Sequence, residues 1–211
     1  MCSRFENKTT GEFLFKKISK DRKVIDNSGK NLKQTGIAPN DDIIIIKNKS
    51  GELELTNNIW GIRFSGENTP FIFNSRIETI TSKKYWSDLF DKNRCIIPAT
   101  AFYEWKQENK IKIPQRISLI ESEVFYLAGI FVRLNDSYHA SMITTSPNTQ
   151  IARIHNRMPV ILDYKNAINF LETDSKTALS LCRPQDDRIK LNIETADEIL
   201  TEKQKKYLEG L

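Results

Sequence analysis

Asp42-Ile43-Ile44-Ile45-Ile46-Lys47 is the stretch whose reading decides the fold class. Four consecutive β-branched apolar residues between charged ends make a short buried strand, far below the roughly 18 apolar residues of a membrane span. Outward from it, segments of the same kind recur at 59–64, 70–73, 94–97, 101–105, 116–120, 124–132, 138–145 and 158–162. All are rich in Ile, Val, Phe and Tyr and bounded by Asn, Gly, Pro and Asp, the mark of strands separated by turns.

Helices are fewer. Trp86, Leu89 and Phe90 form one apolar stripe within 82–91. Ser146-Pro147 reads as an N-cap and first helical position opening 147–154, and Asp163 as the cap of a helix to Leu171. Further helices are expected at 175–182 and 197–208, whereas 26–42, with its turn residues, reads as loop. Strands and helices mix without βαβ regularity, which predicts an α+β fold with largely antiparallel sheet. With no internal repeat and no linker, residues 1–211 read as a single domain.

Composition removes several functions. Three widely spaced cysteines, Cys2, Cys95 and Cys182, make neither a disulfide framework nor a zinc ribbon, and two histidines cannot build a His-rich site. No phosphate loop, dinucleotide fingerprint or H-E-x-x-H is present, so no metal or cofactor is expected. The first residues lack the apolar core of a secretion signal, and a cytoplasmic protein without membrane association is expected. Residues 1–50 hold eleven Lys/Arg against six Asp/Glu, and residues 51–211 hold 21 of each, so the net +5 sits in the first quarter. On charge alone this is a solvated, lysine-decorated region.

Cys2 is the unusual placement. A cysteine after the initiator is small enough to permit removal of Met1, leaving an α-amine and a thiol on one residue. Their reference pKa values are about 7.7–8.0 and 8.5, so both have usable fractions near neutrality. A 1,2-aminothiol condenses with an aldehyde and closes to a thiazolidine, which an internal cysteine cannot do.

Five segments carry a wider resemblance: Met1-Cys2-Ser3-Arg4, Trp60-Gly61-Ile62, Asn74-Ser75-Arg76-Ile77-Glu78-Thr79, Arg94-Cys95-Ile96-Ile97-Pro98 through Phe102-Tyr103-Glu104-Trp105, and Ile154-His155-Asn156-Arg157-Met158-Pro159. Together and in this order they resemble the SOS response-associated peptidase (SRAP) family, whose members process abasic sites in DNA. Ser3 stands where the family has glycine and Asn156 where it has aspartate, and 16–50 carries no family pattern. The resemblance implies barrel-like antiparallel sheet flanked by helices. It also implies Cys2 as the residue that bonds to the ring-opened sugar aldehyde, Asn74 orienting amine or sugar, Glu104 shuttling protons and His155 helping to open the deoxyribose.

Residue chemistry agrees. Asn offers donor and acceptor without charge. Burial between Tyr103 and Trp105 would raise Glu104 toward neutrality. At a helix end, the dipole would favour the His155 imidazolium. Arg4, Arg76 and Arg157 neighbour these residues in sequence and suit phosphate. Trp60 and Trp105 could stack unpaired bases or simply fill the core, and Thr144 could contact phosphate or sugar. Cys95 and Cys182 read as inert core thiols.

Three functions are thus in play. The first is a monomeric protein that senses abasic sites in single-stranded DNA and crosslinks through Cys2, with accompanying autopeptidase and lyase activity. The second is a cysteine-type peptidase acting on other proteins through Cys2, His155 and Glu104. The third is a non-catalytic single-strand binding module.

Overall fold

A computed structural model describes residues 2–20, 22–29, 32–64 and 69–210. The first half of the chain holds β1 (Phe5–Glu6), α1 (Gly11–Ile18), β2 (Val24–Asn27), β3 (Asp42–Lys49), β4 (Glu52–Trp60), β5 (Ile62–Arg63), β6 (Phe71–Ile72), β7 (Asn74–Arg76), α2 (Ile77–Ser82), α3 (Lys84–Lys92) and β8 (Arg94–Ala99). The second holds β9 (Ala101–Glu108), β10 (Ile111–Leu119), β11 (Phe125–Leu134), β12 (Ser137–Thr145), α4 (Thr149–Ala152), β13 (Met158–Pro159), β14 (Ile161–Leu162), α5 (Tyr164–Glu172), α6 (Ser175–Leu181), β15 (Leu191–Thr195) and α7 (Glu202–Glu209), with a 3₁₀ turn at Asp197–Ile199.

The four isoleucines lie in β3 and are buried on both faces of it. Ile43 and Ile45 join one hydrophobic cluster, Ile44 and Ile46 the other, which is why the strand reads as an apolar run rather than an alternation. Burying such a side chain contributes about 1.5–3 kcal/mol relative to exposure. β3 pairs antiparallel with β4 and β8, β8 with β11, and β11 with β12. β12 then meets β4 in parallel, His139 opposite Ile59 and Ala140 opposite Trp60. The circuit β3–β8–β11–β12–β4 is therefore a closed five-stranded barrel. The fold is α+β, largely antiparallel and barrel-like, as expected.

The two clusters divide the barrel wall. Leu14, Ile18, Ile80, Phe90, Phe170 and Ala178 from α1, α2, α3, α5 and α6 join Ile44 and Ile46, so the helices cover the outer face. Cys2, Phe5, Trp60, Cys95, Leu127 and Met142 join Ile43 and Ile45, together with Phe102 and Ile117 from a second sheet, ordered β1–β9–β10–β15. That second sheet carries the N-terminal strand and shares the cluster that holds Ile43 and Ile45.

Several elements differ from expectation. Helix α1 and strand β2 occupy part of the chain beside and within the expected loop at 26–42. Only Leu14 and Ile18 of α1 are buried while Phe13 is exposed, so its apolar stripe is blurred in sequence. β4 begins seven residues before the expected strand at 59. Its Glu54 hides the apolar signal, because this carboxylate is buried opposite Lys47, 3.4 Å away, with the Lys47 Nζ 4.0 Å from the centre of the Tyr138 ring. Asp163 caps α5 as expected, accepting from the Asn166 N–H. The expected cap at Ser146 is corrected to Asn148: its Oδ1 accepts from the Ile151 N–H at 3.0 Å, which starts α4 two residues late. The helix expected at 197–208 starts only after the 3₁₀ turn, where Thr201 and Gln204 form a capping box.

Gly61 joins β4 to β5 at φ +126°, and a Cβ built there would lie 2.1 Å from the Phe71 ring. Gly61→Ala is expected to destabilise the fold by about 2–3 kcal/mol through combined strain and overpacking. An unchanged midpoint in urea unfolding would contradict this.

Candidate active site

Three elements converge on the N-terminal segment. β1 pairs with β9, Phe5 opposite Phe102 and Glu6 opposite Ala101. Continuing that register, the Arg4 carbonyl accepts from the Tyr103 N–H at 2.9 Å, so Cys2 and Ser3 lie alongside Glu104. β7 brings Asn74 to the same place: its Nδ2 donates to the Cys2 carbonyl at 2.7 Å, and β7 is itself held in parallel by β12, Met142 opposite Asn74. The turn after α4 supplies His155, whose Nδ1 lies 4.0 Å from Glu104 Oε1. Cys2, Asn74, Glu104 and His155, drawn from four parts of the chain, are thus gathered at one locus.

Its electrostatics are set by burial. The Cys2 thiol is fully buried, donates to the Arg4 carbonyl at 3.3 Å, and is pushed up to about 12 by desolvation and by the Glu104 charge. A cysteine with ordinary reactivity was expected. The structure instead holds the thiol protonated until a base removes its proton. Burial pushes the Glu104 carboxyl up to about 7, the direction anticipated and a value suited to moving protons near neutrality. Asn74 Oδ1 is buried and has no hydrogen-bond partner among the described residues, so an acceptor faces the site. His155 corrects its expectation. Burial, with Lys112 acting in the same sense, lowers its pKa, and no full helix ends at it, so the dipole argument fails. The Arg157 backbone holds Nδ1 from both sides, its N–H at 3.1 Å and its carbonyl at 3.3 Å.

This constellation sits within a chain that matches the SOS response associated peptidase (SRAP) family over residues 1–197. The chain belongs to that family. It is 33% identical over 199 residues to the abasic site processing protein YoqW of Bacillus subtilis, covering 88% of each chain. It is 36% identical over 163 residues to YoaM of the same organism, also named an abasic site processing protein, covering 71% of this chain and 72% of that one. A crystal structure of a protein from Bacteroides thetaiotaomicron shares the fold, with a TM-score of 0.78 at 24% identity, covering 92% of this chain and 91% of that one.

The outer residues of the SRAP site divide. Arg76 is exposed at the N-cap of α2 and uses no side-chain cap bond. Arg4 is half-buried, and its positive charge reaches Asp41. Arg157 is committed within the protein: it forms a bidentate pair with Glu78 at 2.8 and 3.0 Å and donates to the Thr144 carbonyl at 2.7 Å. Thr144 is buried against it, so the expected hydroxyl contact to DNA is corrected to a hold on Arg157. Trp60 is also corrected. Fully buried, packed edge-on against Phe5 and Phe73 and donating from Nε1 to the Phe73 carbonyl at 2.9 Å, it has no face to offer a base. Trp105 is half-buried, and strand alternation sends it to the side of β9 opposite Glu104. Glu78 was missed as a partner, although it stands in the quoted Asn74–Thr79 motif two residues from Arg76. Among the described residues no helix is long and apolar enough to cross a membrane.

Proposed function

We propose that this SRAP protein processes abasic sites in single-stranded DNA by crosslinking them to Cys2 once Met1 has been removed. The observation that carries the reading is the pairing of a buried, protonated Cys2 thiol with a Glu104 carboxyl raised to about 7. The names of the relatives YoqW and YoaM support the substrate.

The steps follow from the groups present. The Cys2 α-amine attacks C1 of the ring-opened sugar, and the carbinolamine loses one water to give an imine. The thiol then adds to the imine carbon, its proton finishing on the ring nitrogen, and a thiazolidine results. Glu104 donates the proton that lets water depart and accepts the thiol proton at ring closure. Asn74 Oδ1 accepts from the amine, and the His155 imidazole donates a proton to the sugar during ring opening. An imine that lingers also permits β-elimination, giving lyase activity. Arg4, Arg76 and the exposed part of Trp105 are the proposed DNA contacts, while Arg157 acts by fixing His155 through its backbone. Self-removal of Met1 is the further activity that fits the family's peptidase name.

The chemistry of Cys2 favours this over a cysteine peptidase acting on other proteins. The crosslink needs an α-amine and a thiol on one residue, which Cys2 supplies once Met1 is gone, whereas a peptidase nucleophile does not need the amine. Incubation of the processed protein with oligonucleotides carrying or lacking an abasic site, followed by a denaturing gel, tests the proposal. A heat-stable shifted band that requires the abasic site is expected. Peptide cleavage without such a band would replace it with the peptidase reading, and equal binding to intact DNA without a band would favour a binding module.

A further inference from the structure

On the face of β9 opposite Glu104 lies a second set of ionisable side chains that the proposed chemistry does not use. Glu6, in the two-residue strand β1, is almost completely buried. Its carboxylate accepts from Arg116 Nε at 2.8 Å and Nη2 at 3.3 Å, pairs with Lys8 at 3.0 Å and accepts from the Tyr103 hydroxyl. The Tyr103 hydroxyl oxygen also lies 2.8 Å from Glu198, so its single proton is shared between the two carboxylates, and Arg116 also pairs with Glu194 at 2.9 Å. The network therefore ties β1 to β9, to β10, to β15 and to the turn after it. Burial works to raise the Glu6 carboxyl, but these donors outweigh it and hold it below the usual carboxylate range.

Chain ends fray unless they are tied down, and β1 is held by a two-residue ladder with β9 on one edge and a single bridge from Phe5 to Ile37 on the other. Yet Cys2, four residues before Glu6, must present its reactive groups beside Glu104 without drifting. We infer that the Glu6–Arg116–Tyr103 network is a positioning device that clamps the N-terminal segment and so holds Cys2 against Glu104. Its residues reach the site only through backbone. Glu6 fixes β1 from behind, and Tyr103 fixes the peptide whose N–H holds the Arg4 carbonyl, which in turn accepts the Cys2 thiol. Arg116 is suited to this because its planar fork meets both carboxylate oxygens, which a lysine cannot do.

The importance of the clamp rests on the reading of Cys2 as the reacting residue, but its test does not. Two other buried thiols, Cys95 and Cys182, provide internal controls for general unfolding. The full chain and its Glu6→Gln and Arg116→Lys variants are exposed to a maleimide at neutral pH, and labelling of each cysteine is followed by peptide mass spectrometry. The expected result is labelling of Cys2 accelerated by about tenfold or more in both variants, with Cys95 and Cys182 as protected as in the parent. The initial rate of crosslinking to abasic oligonucleotide should fall by about 10- to 100-fold, with affinity for a non-reactive abasic analogue unchanged. Arg116→Lys keeps the charge and serves if Glu6→Gln does not fold. Cys2 remaining as protected as in the parent, or all three cysteines gaining access together, overturns the inference. Selective exposure of Cys2 in variants of a parent that forms no crosslink upholds the clamp while removing the proposed chemistry.

Discussion

Replacing Cys2 by serine is expected to abolish the heat-stable adduct with abasic DNA, by roughly two orders of magnitude or more, while leaving an imine that borohydride can trap. Serine keeps the α-amine, so the first bond still forms. Its hydroxyl gives up a proton far less readily than a thiol and is a poorer nucleophile, so the ring does not close stably and heat hydrolyses the imine. The order of steps follows from the site. A thiol pushed up to about 12 is protonated near neutrality, whereas a terminal amine titrates at about 7.7–8.0. Strand cleavage by β-elimination should persist or rise in Cys2→Ser, because the imine lives longer. Denaturing gels run with and without borohydride separate these outcomes. A heat-stable band surviving in Cys2→Ser would sink the thiazolidine. Loss of the trapped imine as well would mean that the thiol attacks first.

Glu104→Gln should slow crosslinking by about 10²- to 10⁴-fold, the range for losing a positioned proton carrier. Glutamine keeps the shape but neither gives nor takes a proton. In the parent, ionised Glu104 accepts the thiol proton, so the rate should rise with pH through about 7 and then level. The variant should lack that inflection, and any rise remaining near 8 belongs to the amine. The same shift has an opposite effect on stability. The folded-state pKa lies above the ordinary carboxyl value of 4.5, so the stabilising contribution is complete below that value and is lost as pH rises through about 7. Glu104→Gln should therefore melt above the parent at pH 8 and converge with it toward pH 4.5. Equal rates in the two proteins would remove Glu104 from the chemistry. A melting difference that does not change with pH would contradict the buried-carboxyl account.

The four residues that the fold gathers at one locus could be singled out beforehand because each stands in a short motif. Their environments could not. The elevated Cys2 thiol and the lowered His155 arise from burial by strands distant in sequence, and a motif carries no record of what packs over it. Arg157 shows the same limit, since a basic residue close to a histidine suggests phosphate, and only the fold reveals its two terminal nitrogens engaged by Glu78 and Thr144. Trp60 was ambiguous between base and core for a related reason, as strand alternation does not say which face a closed barrel turns inward. The strand periodicity gave the fold class, while α1, β2 and the first half of β4 were obscured by an exposed Phe13 and by the buried Lys47–Glu54 pair.

The pairing of β1 with β9 also sets a schedule for synthesis. Phe5 meets its partner Phe102 only after about 100 further residues have been added, several seconds at the usual rate of about 5–20 residues per second. Until then the first residues have, among the described pairings, just the short contact of Phe5 and Asn7 with 34–37, and the edge that β9 will cover stays open. On the proposed chemistry, Met1 must leave before Cys2 can react, and this interval is when a ribosome-bound aminopeptidase has open access to it. Once β9 arrives, Cys2 is enclosed. Late strand pairing thus separates two needs that conflict in the finished protein, an end exposed for trimming and an end buried for reaction.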